Sequence, residues 1–251
     1  MKLKLLDLNI YGGKFYNDII SFVKERDFDI LCLQEVKAGK HGFTNSDILA
    51  NLKNDLQMEV EFALTTHLLG DKSSYDGNAI FYKKGLKPSN KQVIQLYPFK
   101  EVLPNQTIFN NYPRNALSLD FLIDEKILTI IDTQLAWNIK PEETPLQTEV
   151  GEKLYNFVYS LKNDYILAGD FNLEADSGVV SKFGKIAKNL TLEKNITNTL
   201  NAETHRAKNL FPKGLAVDFI FTTPNIRIEE FKLIDSPNLS DHFGLSLTFE
   251  F

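Results

Sequence analysis

The chain has 251 residues, of which 43% are hydrophobic and 24% charged, with a formal net charge of −5 at pH 7. That balance excludes a disordered chain, and the acidic excess argues against nonspecific clamping of nucleic acid. No stretch is long and apolar enough to span a bilayer, and Asp7 and Asn9 interrupt any apolar signal core near the start, so a cytoplasmic protein without stable membrane insertion is expected.

No linker-like tract or shift of composition divides the sequence, which predicts one domain over residues 1–251. Its single cysteine, Cys32, lies in the apolar run Ile30-Leu31-Cys32-Leu33 and reads as a buried core thiol. Leu3 to Ile10 carries apolar residues on both parities, the pattern of a strand covered on both faces. After Gly12-Gly13, residues Phe15, Ile19, Phe22 and Val23 recur at helical spacing, and Asp29 to Gln34 is a second buried strand. Strand, helix and strand make a βαβ unit with a parallel pair.

A loop over 36–43, a helix over 45–56 and a strand over 58–66 follow, then a polar loop from Asp71 to Gly77 and a strand from Asn78 to Tyr82. Three prolines between Pro98 and Arg114 mark a long irregular excursion, of the kind that is often functional. Ala116 to Ile123 and Lys126 to Leu135 form a hairpin around Asp124-Glu125, and Leu146 to Leu161 is helical. Tyr165 to Asn172 is a buried strand, Val179 to Ala187 a helix, and Leu215 to Thr222, Ile226 to Ile234 and His242 to Phe251 are the closing strands.

Polar residues gather where these strands end: Asn9, Gln34-Glu35, and Asp170 with Asn172. Side chains two apart on an extended backbone share a face, so Asp170 and Asn172 project together, with Gly169 permitting a turn or a close approach. By itself the segment reads equally as a polar turn after a strand. Asp218 lies early in a strand and Ser240-Asp241-His242 heads the last one. Carboxylates and amides without a Cys/His cluster suit a hard cation such as Mg²⁺ or Mn²⁺.

In this order, Asn9, Leu33-Gln34-Glu35, Gly169-Asp170-Phe171-Asn172, Val217-Asp218-Phe219-Ile220 and Ser240-Asp241-His242 resemble the motifs of the endonuclease/exonuclease/phosphatase superfamily over about Leu3 to Phe249. The resemblance implies an α/β fold, a four-layer sandwich of two mixed β-sheets packed face to face and flanked by helices, as in deoxyribonuclease I. It implies a Mg²⁺-dependent phosphoesterase, with Mn²⁺ as a substitute, that attacks a phosphodiester in line with activated water. Glu35 is then a direct metal ligand, Asn9 lies beside the metal and Asp241 completes its shell. His242, oriented by Asp218, serves as base or phosphate contact, Asp170 handles the attacking water or a proton, and Asn172 holds a phosphate oxygen. Arg114, before a central strand, reads either as a phosphate contact or as a surface arginine.

Outside the abasic-site branch, relatives carry Thr-His-Leu where this chain has Thr133-Gln134-Leu135. Gln134 can still donate to a phosphoryl oxygen but cannot titrate near neutral pH. The Leu33-to-Lys37 segment looks like the abasic-site branch, but the segment from Asp132 to Asn138 does not. The expected partner is a phosphate-ester substrate, with nucleic acid among the candidates and no protein partner implied. Phosphomonoesterase action on inositol or lipid phosphates stays open, as does a binding protein silenced by Gln134. His41, His67 and His205 read as surface or loop residues, the basic run His205 to Lys213 as either a substrate-gripping or a solvated loop, and Trp137 and Phe99 as candidate cleft walls or packing residues.

Overall fold

A computed structural model describes residues 1–39, 46–68, 71–101, 112–139, 143–206 and 209–251. His41, most of the excursion between Pro98 and Arg114, and Ala207 and Lys208 of the basic run lie outside the described residues. The strands are β1 (Lys2–Asn9), β2 (Ile30–Ala38), β3 (Glu59–Leu68), β4 (Asp71–Tyr82), β5 (Pro88–Tyr97), β6 (Arg114–Ile123), β7 (Lys126–Gln134), β8 (Asp164–Asp170), β9 (Lys188–Asn189), β10 (Asp218–Thr222), β11 (Arg227–Ile234) and β12 (Gly244–Glu250). The helices are α1 (Tyr16–Arg26), α2 (Ile48–Leu56), α3 (Pro145–Ser160), α4 (Gly178–Phe183) and α5 (Leu190–Glu193).

The strands form two six-stranded sheets, in the orders β11-β12-β1-β2-β4-β3 and β5-β6-β7-β8-β10-β9. Each is mixed: β1 runs parallel to β2 across the α1 crossover, and β7 parallel to β8 across α3, while the other pairs are antiparallel. Parallel strands need such a crossover, and helices returning over the sheets supply it.

Three apolar layers explain the doubly apolar strands. Leu3 and Leu5 of β1 meet Ile30, Leu128, Ile130, Ile166 and Ile220 between the sheets. Leu6 and Leu8 face the other way, onto Ile19, Phe22 and Val23 of α1 and Leu52 of α2. Beyond the second sheet, Ile131 and Leu167 pack against Val150, Leu154 and Val158 of α3 and Phe183 of α4. The predicted four-layer α/β sandwich is the architecture observed.

Some segments differ from expectation. Asp71 to Gly77 is strand, not loop: it extends β4 and pairs with both β3 and β2, as in Thr66↔Asp76 and Lys37↔Asp76. Backbone pairing holds it extended despite a polar composition. Likewise β2 continues past Gln34 to Ala38, through a bulge between Leu33 and Val36. Strand β5 has no counterpart in the sequence reading, because as an edge strand it exposes most of its residues and shows no buried alternation.

Along the layer between the sheets, composition changes with height. On β1 the same face carries Leu3, Leu5, Asp7 and then Asn9; on β7 it carries Leu128, Ile130, Asp132 and then Gln134. The apolar end is the core. The polar end opens as a cleft.

Candidate active site

Beneath the cleft floor, the Gln34 amide nitrogen donates to Asp7 Oδ1 at 2.8 Å and to Asp132 Oδ1 at 2.6 Å, tying one sheet to the other. All three residues are buried, and Asp7 Oδ2, Gln34 Oε1 and Asp132 Oδ2 have no partner among the described residues. Burial pushes the Asp132 carboxyl up to about 7 and, with the neighbouring carboxylates, raises Asp7 well above its ordinary range.

The floor itself is an amide-bridged carboxylate pair. Glu35 adopts φ +56° at the β2 bulge, which turns two consecutive side chains, Gln34 and Glu35, to the same interior. Asn9 Nδ2 donates to Glu35 Oε1 and to Asp170 Oδ2, both at 3.2 Å, while Asn9 Oδ1 accepts from the Tyr11 N–H. From the other sheet Gln134 Nε2 donates to the same oxygens, at 2.9 and 3.1 Å, and its Oε1 accepts from Arg114 Nη1 at 3.2 Å. Gln134 therefore bridges two carboxylates, one from each sheet. Burial opposes the charge on Glu35, but the two amide donors, with Lys37 and His242, outweigh it and hold its carboxyl below the usual range. Asp170 is instead pushed up to about 6 by burial, with His242 opposing and Asp218 reinforcing.

Arg114 is not a surface residue. Its side chain is buried, lies 5.3 Å from the centre of the Tyr112 ring, and lines the cleft. Gly169, at φ +148°, allows β7 to approach: a Cβ there would stand 2.0 Å from the Thr133 carbonyl oxygen. Asn172, at φ +52° just past β8, donates its backbone N–H to Asp170 Oδ1 and its amide to Asp170 Oδ2 and the Leu135 carbonyl. Its own carbonyl accepts from Gln147 of α3, whose side chain also closes a capping box with Thr144. The two side chains therefore converge through a turn.

Opposite them, Asp218 opens β10 in register with Asp170 and accepts from His242 Nδ1 at 2.9 Å. His242 is buried; burial opposes its charge, but Asp218, Asp170 and Asp241 outweigh that and hold the imidazolium well above the ordinary histidine range. Burial pushes Asp241 up to about 6, with His242 opposing and Glu35 reinforcing. Ser240 Oγ donates to the Asn9 carbonyl, fixing this segment to the end of β1.

All nine candidate positions thus meet at one end of the inter-sheet layer, and the cleft above them encloses about 530 Å³. Two ligand-capable groups stand out among the described residues: Asp170, Asp218 and His242, and His205, Asp241 and His242, the ligand atoms of each lying within 4.8 Å of one another. Buried, crowded carboxylates with raised proton affinity form a donor set that a divalent cation would relieve.

The family profile described as Endonuclease/Exonuclease/phosphatase family matches residues 8–242. The chain belongs to this family. No curated protein sequence matches it significantly. Among solved structures, an endonuclease/exonuclease/phosphatase from Bacteroides vulgatus superposes with a TM-score of 0.76 at 15% identity, over 100% of this chain and 99% of that one. The Bacteroides thetaiotaomicron mannosyl-6-phosphatase Bt3783 gives 0.71 at 18%, over 99% and 100%. The catalytic domain of human Nocturnin with bound sulfate gives 0.72 at 20%, over 100% and 93%. These likenesses are likenesses of fold.

Other cleft residues of this family member entered the sequence reading only as one of two alternatives. His205 sits on a loop, as expected, but faces the site, its ring 5.7 Å from that of His242. Burial and the neighbouring His242 bring it down to about 4. Arg206 reaches the Tyr11 hydroxyl at 3.0 Å, so the head of the basic run does line the cleft. That run's basic composition, its aromatic and its position before the Asp218 strand signalled it. Trp137 also lines the cleft, whereas Phe99 packs on His67, ring centres 5.2 Å apart. His67 lies in β3 and pairs with Glu101 at 2.7 Å.

Proposed function

We propose that the chain is a divalent-metal-dependent hydrolase of phosphodiesters, with Mg²⁺ as its cation and Mn²⁺ as substitute. The observation that supports this most is the meeting of Glu35, Asp170 and Asp241 around the Asp218–His242 pair in one cleft. Glu35 would hold the cation with Asp241, and Asn9 fixes the Glu35 carboxylate through its amide. A bound divalent cation supplies positive charge that offsets the anionic phosphate and polarises its P–O bonds.

The protein's own groups then divide the proton work. His242, kept protonated by its carboxylates, offers its outer N–H to a phosphoryl oxygen, while Asp218 fixes the tautomer and supports the charge. Asp170, at about 6, is near neutrality and accepts the proton of the attacking water. Two groups whose environments drive their proton affinities apart are the usual source of an acid and a base. Asn172 and Arg114 bound the space for the phosphate from the second sheet. Gln134 supplies no proton, so the substrates served best are those whose leaving group departs without one.

The test is hydrolysis of single- and double-stranded DNA, RNA, sphingomyelin, inositol phosphates and a chromogenic diester, with Mg²⁺, Mn²⁺ or EDTA. Diester cleavage that needs metal and is lost in His242→Ala supports the proposal. Cleavage confined to monoesters would replace it with the phosphatase reading, and metal binding without any cleavage would replace it with a silenced binding protein.

A further inference from the structure

We infer that His205, Asp241 and His242 form a second metal site, for a borderline transition ion such as Zn²⁺, and that filling it inhibits the esterase. Their ligand atoms already lie within 4.8 Å of one another. Tetrahedral zinc with imidazole and carboxylate ligands places donor atoms roughly 3.3 Å apart, so the three close by no more than about 1.5 Å. Three protein ligands leave a fourth position for water, a usual zinc arrangement.

The loop that carries His205 is built onto the segment just ahead of β12 that carries the other two. The Asn201 side chain donates to the Ser240 and Pro237 carbonyls, and its backbone N–H donates to the Asp241 carbonyl. Thr204 Oγ1 donates to the Ser240 carbonyl, and the His205 N–H closes the turn onto the Asn201 carbonyl. Leu200 forms a bridge with His242. Asp218 occupies His242 Nδ1, which directs ligation to Nε2, and the carboxylate behind the ring is the usual support of a ligating histidine.

This site shares Asp241 with the one proposed around Glu35, and donor chemistry tells the two apart. Two imidazoles and one carboxylate favour zinc over magnesium, which prefers oxygen and keeps its waters. The inhibitory half rests on the proposed function: zinc on His242 removes the N–H that would meet the phosphate.

The experiment titrates Zn²⁺ against a chromophoric chelator, with metal-stripped protein and a roughly 1000-fold excess of Mg²⁺. One Zn²⁺ per chain is expected to bind, and His205→Ala and His205→Gln to weaken it at least about tenfold, with Mg²⁺ affinity unchanged. Zinc held by both variants as tightly as by the unaltered protein overturns the site. In the unaltered protein Co²⁺ should shift two histidine ring resonances by NMR; one shifted ring overturns the pair. Hydrolysis is read separately: half-inhibiting zinc should rise by the same factor in each variant, measured against its own zinc-free rate. Weaker binding with unmoved inhibition overturns the inhibitory role alone. If no metal supports hydrolysis, the proposed function fails and the binding result still decides the site.

Discussion

Asp170 and His242 carry the pH behaviour of the site. Asp170 and Asp241 both sit at about 6, so they gain charge as pH rises through that value, while His242 keeps its proton to well above the ordinary histidine range. The expected kcat/KM profile therefore climbs through about pH 6 and falls only where His242 is deprotonated. Asp218→Asn removes the charge that most supports the imidazolium and should move the falling limb to lower pH. Gln134→Leu removes donors that stabilise the ionised Glu35 and Asp170, so the rising limb should move up. His242→Ala should cost on the order of 10²- to 10⁴-fold in kcat. For leaving groups, rates across diesters of graded leaving-group acidity should fall steeply, and Gln134→His should flatten the series. An unchanged slope would remove the special place given to Gln134. Of these residues, the strand-end set was legible from polarity breaking an apolar run. His205 was not, because a histidine in a loop acquires its neighbours only when the chain folds.

At the level of strands, the bridge from Asp7 through Gln34 to Asp132 leaves a carboxyl in the core whose proton affinity folding raises. The unfolded Asp132 ionises near pH 3.9 and the folded one at about 7, so the native state loses stability as pH rises between those values and is penalised fully above them. Asp132→Asn should stabilise the fold by about 1–3 kcal/mol at pH 8 and hardly at pH 4, read from urea midpoints. Equal effects at both pH values would mean that Asp132 is not neutral in the native core. At the β7–β8 pairing, Gly169→Ala forces a Cβ onto the Thr133 carbonyl at positive φ and should cost about 2–4 kcal/mol. The sequence marked that glycine by its place before Asp170. Strand β5 and the first half of β4 went unread because periodicity reports burial, and these stretches are held by backbone pairing to a neighbour.

For the molecule as a whole, the site is a seam. Asn9, Glu35, Asp241 and His242 come with one sheet, and Arg114, Gln134, Asp170 and Asp218 with the other. A cation on Glu35 and Asp241 also relieves the repulsion they share with Asp170, so it should strengthen the assembly of both sheets. Mg²⁺ at about 100 times its Kd should stabilise the folded chain by about 2.7 kcal/mol, a rise in Tm of roughly 5–10 °C that Glu35→Gln abolishes. Strands apolar on both faces and the first crossover were legible in the sequence, and the layered arrangement followed from the family resemblance; the zipped carboxylate pair across the seam was not legible, since no local pattern announces a contact between residues 9, 35, 134 and 170.

Strand β1 pairs with β12 from Lys2↔Glu250 to Asp7↔Leu245, so the first sheet cannot be finished until residues 245–250 have been made. During translation β1 waits with an open edge, the kind of long-range closure that slows folding and exposes a chain to misassembly. Asp241 and His242 enter just ahead of that closing strand. A nascent chain thus carries Glu35 and Asp170 well before Asp241 and His242 arrive to complete the cleft.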